Sequence, residues 1–244
     1  MIAIVAAAAL VAGLLIGLTG IGGVILVPVL TDVAGLPLER AVAACMIGFF
    51  FSSALAAFVH LRRARLAWPP LAALCAAAAA GAALGAATLD SLPGVGVRLF
   101  IAALALASGL QALIAPRPPG AHAPGAGRLA FLGLAVGYGS AISGTGGPVI
   151  LIPILLFLRT PVNAAIALGV VSGLPIALAA GAVYAGAGYV DVPLALVLTA
   201  FLVAGVTAGA KLLHRLSSRA LTVAVAWTLV GVGLWFGLNS VAPR

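Results

Sequence analysis

Apolar stretches long enough to cross a lipid bilayer follow one another from one end of this chain to the other, and that restricts what it can fold into. Ile2 to Ile16, Leu71 to Leu89 and Leu194 to Leu213 are almost free of charge, and about 20 such residues in a helix span a hydrocarbon core of ~30 Å. Only 7% of the 244 residues are charged, against 64% hydrophobic, whereas a soluble domain carries roughly 25% charged residues. Most of the chain must meet lipid, so we expect an all-α polytopic membrane protein forming a single membrane domain over 1–244. No basic residue precedes the first apolar run, which reads as mature structure rather than a secretory signal. A net charge of +8 would suggest a nucleic-acid partner in a soluble protein. Here it reflects the basic residues that collect in cytoplasmic loops, and membrane lipid is the expected neighbour. Cys45 and Cys75 lie within apolar runs and read as small core residues, with no metal or cofactor expected.

The chain repeats itself at a spacing of 124 residues. Gly13 falls on Gly137, Gly20, Gly22 and Gly23 on Gly144, Gly146 and Gly147, Pro37 on Pro161, Pro69 on Pro193, and Gly81 and Gly85 on Gly205 and Gly209. Of the 12 glycines from Gly13 to Gly109, seven match, where chance gives about one or two. Repeat 1 covers 1–115 and repeat 2 covers 128–244, joined by a Pro/Gly-rich linker at 116–127. Each repeat holds four apolar segments, eight in all: about 2–31, 41–60, 68–88 and 98–115, then 129–158, 162–185, 192–212 and 220–238. The first segment of each set is interrupted, by Thr19-Gly20-Ile21-Gly22-Gly23 and by Ser143-Gly144-Thr145-Gly146-Gly147. Three glycines in four positions, at ~1 kcal/mol each relative to alanine, should break a helix.

Loop charge then sets the topology. Arg62, Arg63 and Arg65 follow the second segment of repeat 1, where repeat 2 has Asp191; Asp90 follows the third, where repeat 2 has Lys211, Arg215 and Arg219. Basic loops stay in the cytoplasm, so the two repeats should be inverted relative to each other. Inversion requires an odd number of crossings per repeat. Four segments give three crossings if each glycine-broken first segment is a re-entrant hairpin. The expected architecture is two re-entrant hairpins plus six transmembrane helices, three per repeat, in a bacterial inner membrane with the N-terminus outside. The acids Asp32, Glu39, Asp90 and Asp191 then face outward with Arg40, Arg98 and Arg244, while Arg62, Arg63, Arg65, Arg117, Arg128, Arg159, Lys211, Arg215 and Arg219 face the cytoplasm.

The second arm of each hairpin begins at its glycine cluster. A helix N-terminus offers unpaired N–H groups and about half a positive charge, which suits an anion without any basic side chain. Two inverted hairpins bring these N-termini together near the midplane. The candidate binding residues are therefore Thr19, Gly20, Gly22, Gly23, Ser140, Ser143, Gly144, Thr145, Gly146 and Gly147, with the hydroxyls as added donors. Gly81-x-x-x-Gly85 and Gly205-x-x-x-Gly209 read as close helix packing, and Ser52, Ser53 and Ser172 as helix back-bonders. His60, near a segment end, should reach the interface. No Asp or Glu falls inside an apolar segment, against a tightly coupled proton antiporter. Export of an anion from a negative interior gains ~2.3 kcal/mol per 100 mV and needs no coupling ion. No Gly-x-Ser-Gly occurs, so an intramembrane protease has no support and no catalytic residue is assigned.

The segment Gly13-Leu-Leu-Ile-Gly-Leu-Thr-Gly-Ile-Gly-Gly-Val-Ile-Leu-Val-Pro28 and its second copy, Gly137-Tyr-Gly-Ser-Ala-Ile-Ser-Gly-Thr-Gly-Gly-Pro148, resemble the duplicated signature of the TauE/SafE sulfite-exporter family. Val192-Pro193 and Gly205-x-x-x-Gly209 extend the likeness over nearly the whole chain. The resemblance implies transport of sulfite, an organosulfonate or a related sulfur oxyanion. Relatives that take up thiosulfate use cysteines near the pore, and the hairpin tips here have none. An uptake permease or channel for such an anion and a non-transporting assembly factor stand as alternatives.

Overall fold

The computed structural model describes residues 2–61, 66–114 and 124–212, and beyond them 227, 230, 231, 233–235, 237 and 238. All described elements are helical. They are α1 (Ile2–Thr19), α2 (Leu26–Pro28), α3 (Leu38–Leu61), α4 (Trp68–Thr88), α5 (Gly94–Ile114), α6 (Ala126–Ser143), α7 (Gly147–Phe157), α8 (Val162–Gly186) and α9 (Val192–Leu212). A 3-10 turn, Gly23–Ile25, leads into α2, and a π-turn, Val29–Val33, follows it. Most of the 220–238 segment lies outside the described residues, as do Arg62, Arg63, Arg65, Arg117, Arg215, Arg219 and Arg244.

Four helices, Leu38–Leu61, Trp68–Ser91, Asn163–Gly186 and Val192–Leu212, are long and apolar enough to cross a membrane. The outside of the bundle is oily: Phe51, Phe58, Phe131, Leu178 and Leu196 are each more than half exposed. In water that would invite aggregation, whereas in lipid it is the normal exterior. The protein is a polytopic membrane protein.

Local chemistry sets the helix ends. Pro69, Pro148 and Pro193 each occupy the first turn of a helix, where a missing N–H costs nothing. Asp191 Oδ1 accepts the Leu194 N–H at 3.1 Å and caps α9. The 124-residue spacing carries through to the element bounds: Ile2–Thr19 plus 124 is Ala126–Ser143, Trp68–Thr88 plus 124 is Val192–Leu212, and both Leu38 and Val162 start helices. Gly35 and Arg159, one spacing apart, both adopt positive φ, at 68° and 58°. Helix α6 already begins at Ala126, so the last two residues of the stretch read as linker are helical.

Glycine decides which helices touch. Gly13 and Gly17 of α1 lie over the Leu202 and Val206 carbonyls of α9, and Gly205 and Gly209 lie over Leu10 and Leu14. Numbers rise together along both helices, so α1 and α9 run parallel. Helices α4 and α6 repeat the arrangement: Gly81 and Gly85 meet the Leu134 and Tyr138 backbone, and Gly133 and Gly137 meet Leu74 and Ala78. The small-residue pairs are packing elements, as expected, and backbone approach of this kind suits helices in lipid. Each seam joins the broken helix of one half to the third helix of the other. Helices α3 and α8 run antiparallel instead, since Gly173 meets Ser53 while Gly181 faces Met46 and Ile47.

Two expectations are corrected. The sequence places the end of the first broken segment at 31, with Asp32 beyond it. Its short arm in fact continues to Val33, leaving the Asp32 side chain only 4% exposed, 3.0 Å from Arg98 Nη1 of α5. A carboxylate in so apolar a setting is retained because a guanidinium neutralises it. His60, in the last turn of α3, is buried rather than exposed.

Candidate functional site

Each broken segment folds back on itself. After α1 the chain reverses at Gly20, whose φ is 79°, and Gly22 packs back against Ala12, Leu15 and Ile16. After α6 it reverses through Gly144 and Gly146, with φ of 63° and 76°; at such values a side chain costs roughly 1–3 kcal/mol. The long arms, 18 residues each, measure about 27 Å. The second short arm, α7, is 11 residues, or about 16 Å. As expected, the short arms start at Gly23 and Gly147.

The two hairpins overlap. Gly20 rests against Val170 and Ile166, towards the start of α8, and Gly144 against Val42, towards the start of α3. Because α3 and α8 are antiparallel, the two reversals lie at different depths. What meets between them are the starts of the short arms. A Cβ at Gly23 would lie 2.5 Å from the Thr145 carbonyl oxygen and 2.5 Å from the Phe49 ring. One at Gly147 would lie 2.8 Å from Ser172 Oγ. Phe49 and Ser172 sit near the middle of α3 and α8, so the meeting point is at mid-length of both.

A cavity of about 10 Å³ opens there. Gly20, Gly23, Thr145 and Gly146 from the hairpins contribute to its wall, with Phe49 and Ser53 from α3 and Val170 from α8. That is room for about one water, so the cavity is closed to anything larger. Among the described residues no charged side chain lines it. Thr19, Gly22, Ser140, Ser143, Gly144 and Gly147 are not part of this wall.

The hydroxyls are already engaged. Thr19 Oγ1 lies 2.9 Å from the Leu15 carbonyl and accepts the Ile21 N–H at 3.3 Å. Ser143 Oγ donates to the Gly139 carbonyl at 2.6 Å, so it accepts from Thr145 Oγ1 at 2.8 Å. Through these contacts the hydroxyls brace the turns. Ser140 Oγ alone among them is buried without a hydrogen-bond partner. Ser172 and Ser52 back-bond, to Gly169 and Phe49 carbonyls at 2.8 and 3.3 Å, as expected.

Ile16, Phe49, Ser53, Pro148 and Val170 line the cavity without having been among the candidate residues. Phe49 sits in the apolar run Gly48-Phe49-Phe50-Phe51 and looks like any core residue. Ser53 was taken for a back-bonder, yet it lines the cavity. The 124-residue spacing held the only clue to Phe49, because its counterpart is Gly173.

Helix α5 holds both hairpins. Pro153 lies inside α7 and cannot donate to the Val149 carbonyl; Ser108 Oγ of α5 fills that vacancy at 3.0 Å. Arg98 of the same helix grips Asp32 at the end of the first short arm.

Glycine-broken helices meeting inside an apolar bundle follow a plan that recurs among membrane transporters. The family model described as Sulfite exporter TauE/SafE matches residues 5–236, and the chain belongs to that family of multi-pass membrane transporters. No curated protein and no solved structure matches the chain.

Proposed function

We propose that this protein exports a small sulfur oxyanion, sulfite or an organosulfonate, across the bacterial inner membrane, holding it near the midplane between the short-arm N-termini of two re-entrant hairpins. The observation that carries this is the abutment of Gly23 and Thr145 at mid-length of α3 and α8. Backbone N–H groups freed at such starts favour an anion.

Several contacts support inverted repeats, 1–115 and 128–244 about a linker at 116–127, with three spans each. If the broken segments crossed fully, α3 and α8 would run parallel; their glycine contacts run the other way. Full crossing would also separate Asp90 from the α8–α9 turn, yet Tyr189 donates to Asp90 Oδ2 at 2.7 Å. That hydrogen bond also holds the exposed phenol above its usual range. With α1 parallel to α9 and α3 antiparallel to α8, Ile2 and Val33 fall at one end of the bundle, which fits a segment entering and leaving on one side. Asp32, Glu39, Asp90 and Asp191 gather at that end, and Arg128, Arg159 and Lys211 at the other. By the positive-inside rule the basic end is cytoplasmic and the N-terminus outside.

The chemistry follows from that placement. A cavity walled by glycine backbone, hydroxyls and apolar side chains can replace part of an oxyanion's hydration with N–H dipoles while adding no fixed charge. Binding then stays weak enough to release the anion. With the interior negative, outward movement is downhill by ~2.3 kcal/mol per charge per 100 mV. At about 10 Å³ the cavity is closed to sulfite, so passage requires the hairpins or Phe49 to move, as in alternating access.

The test is sulfite efflux from proteoliposomes under an imposed potential, competed by other oxyanions. Saturable efflux that grows with an interior-negative potential supports the proposal. No sulfite movement alongside transport of another solute would overturn the substrate.

A further inference from the structure

We infer that Phe49 is the size-limiting residue of the anion path, closing the central cavity towards the acidic end of the bundle. The inference rests on the transport reading above, and its argument is geometric.

On α3 and α8 the lining runs from Phe49 through Ser53 to Val170. Antiparallel pairing puts Ser53 level with Gly173, and Met46 and Ile47 level with Gly181. Val170, which also lines the cavity, is therefore level with a point about a turn past Ser53, towards Leu61. Phe49 is the lining residue nearest the Leu38 end of α3. Beyond it in that direction the packing is dense: Val42, Ala43, Ala44, Cys45 and Met46 are fully buried.

The ring also touches both hairpins. Its edge lies 2.5 Å from where a Cβ would stand on Gly23 and 3.6 Å from the equivalent point on Gly146. Both short-arm starts thus pack on one ring, and the glycines there leave it room. The other side of the cavity is built differently. One spacing along the chain, α8 has Gly173, and a Cβ there would come within 2.8 Å of Ser53 Oγ. A bulky apolar ring stands on the acidic side, and Ser53 with Ile16 and Val170 stands on the other. An anion of four heavy atoms can reach the outer end only if the ring swings away or the hairpins part. The ring's bulk then sets the largest solute that passes.

The experiment uses full-length protein in proteoliposomes, with Cys45 and Cys75 replaced by alanine and Ser53→Cys as reporter. A membrane-impermeant, sulfonate-bearing thiosulfonate reagent is added on the side of the Leu38 end of α3, and labelling is followed by mass spectrometry. Phe49→Ala should label roughly tenfold faster than the parent, with Phe49→Val between them. Phe49→Ala should also admit a bulkier sulfonate, such as benzenesulfonate, that the parent excludes. Should Phe49→Ala not fold, Phe49→Val and Phe49→Leu carry the same comparison. Equal labelling across the folded variants, or an unchanged size limit, overturns the inference. Labelling does not depend on the natural substrate. Faster labelling without oxyanion flux in the parent would uphold the gate and sink the transport reading; flux with unaltered labelling would sink the gate alone.

Discussion

The two hairpins derive from matching sequence and are held by the same helix, yet they are built and anchored differently. The second has a regular short arm, α7, from Gly147 to Phe157. The first passes from a 3-10 turn through one α turn into a π-turn between Gly23 and Val33. Helix α5 fastens the second by one neutral hydrogen bond, Ser108 to the Val149 carbonyl, near the start of the arm. It fastens the first by an ion pair, Arg98 to Asp32, at the arm's end. A charge is tolerable near the end of the bundle, where Arg98 keeps some exposure, and a hydroxyl suits the interior. Matching sequence thus conserves the turn and the site, while the means of fastening are free to differ.

The comparison breaks first at the seams the hairpins share. Gly13→Leu in α1 and Gly137→Leu in α6 drive a side chain into a backbone carbonyl that cannot move aside. Each should cost more than about 3 kcal/mol, seen as loss of monodisperse protein, and to a similar degree if the seams are equivalent. Arg98→Met should come next, at about 2 kcal/mol, because it leaves a buried carboxylate without its guanidinium. Asp32→Asn in the same chain should recover much of that in a thermal melt, and neither change should alter the second hairpin's anchor. Gly146→Ala meets only ordinary contact with Phe49, at 3.6 Å, so its cost is backbone strain alone, roughly 1–3 kcal/mol. Ser108→Ala should be mildest, about 1 kcal/mol. Its effect should shrink when Pro153→Ala restores the helical donor to Val149, which a double-mutant cycle would measure.

Much of this was legible because glycine and charge act locally. The breaks at Gly20–Gly23 and Gly144–Gly147, the starts of the short arms and the packing role of Gly81, Gly85, Gly205 and Gly209 follow from backbone chemistry within a few residues. What the sequence could not reveal depends on distant partners. Nothing near Gly81 says that its carbonyl neighbour is Leu134, or that each seam crosses between halves. Asp32 read as a loop acid because Arg98 lies 66 residues away. The local partners of the hydroxyls were equally hidden: Thr19 and Ser143 back-bond to carbonyls four residues earlier in their own helices, and Thr145 pairs with Ser143. Phe49 was hidden among similar residues, and only folding sets it against both short arms.

The central claim is that an anion binds between the two short-arm starts. Selenite, an oxyanion of sulfite's shape that scatters X-rays anomalously, tests it directly in crystals of the protein. The account predicts one anomalous peak between Gly23 and Gly147, within hydrogen-bonding distance of backbone N–H groups. Peaks confined to the basic end near Arg159 and Lys211, with none between the hairpins, would contradict it.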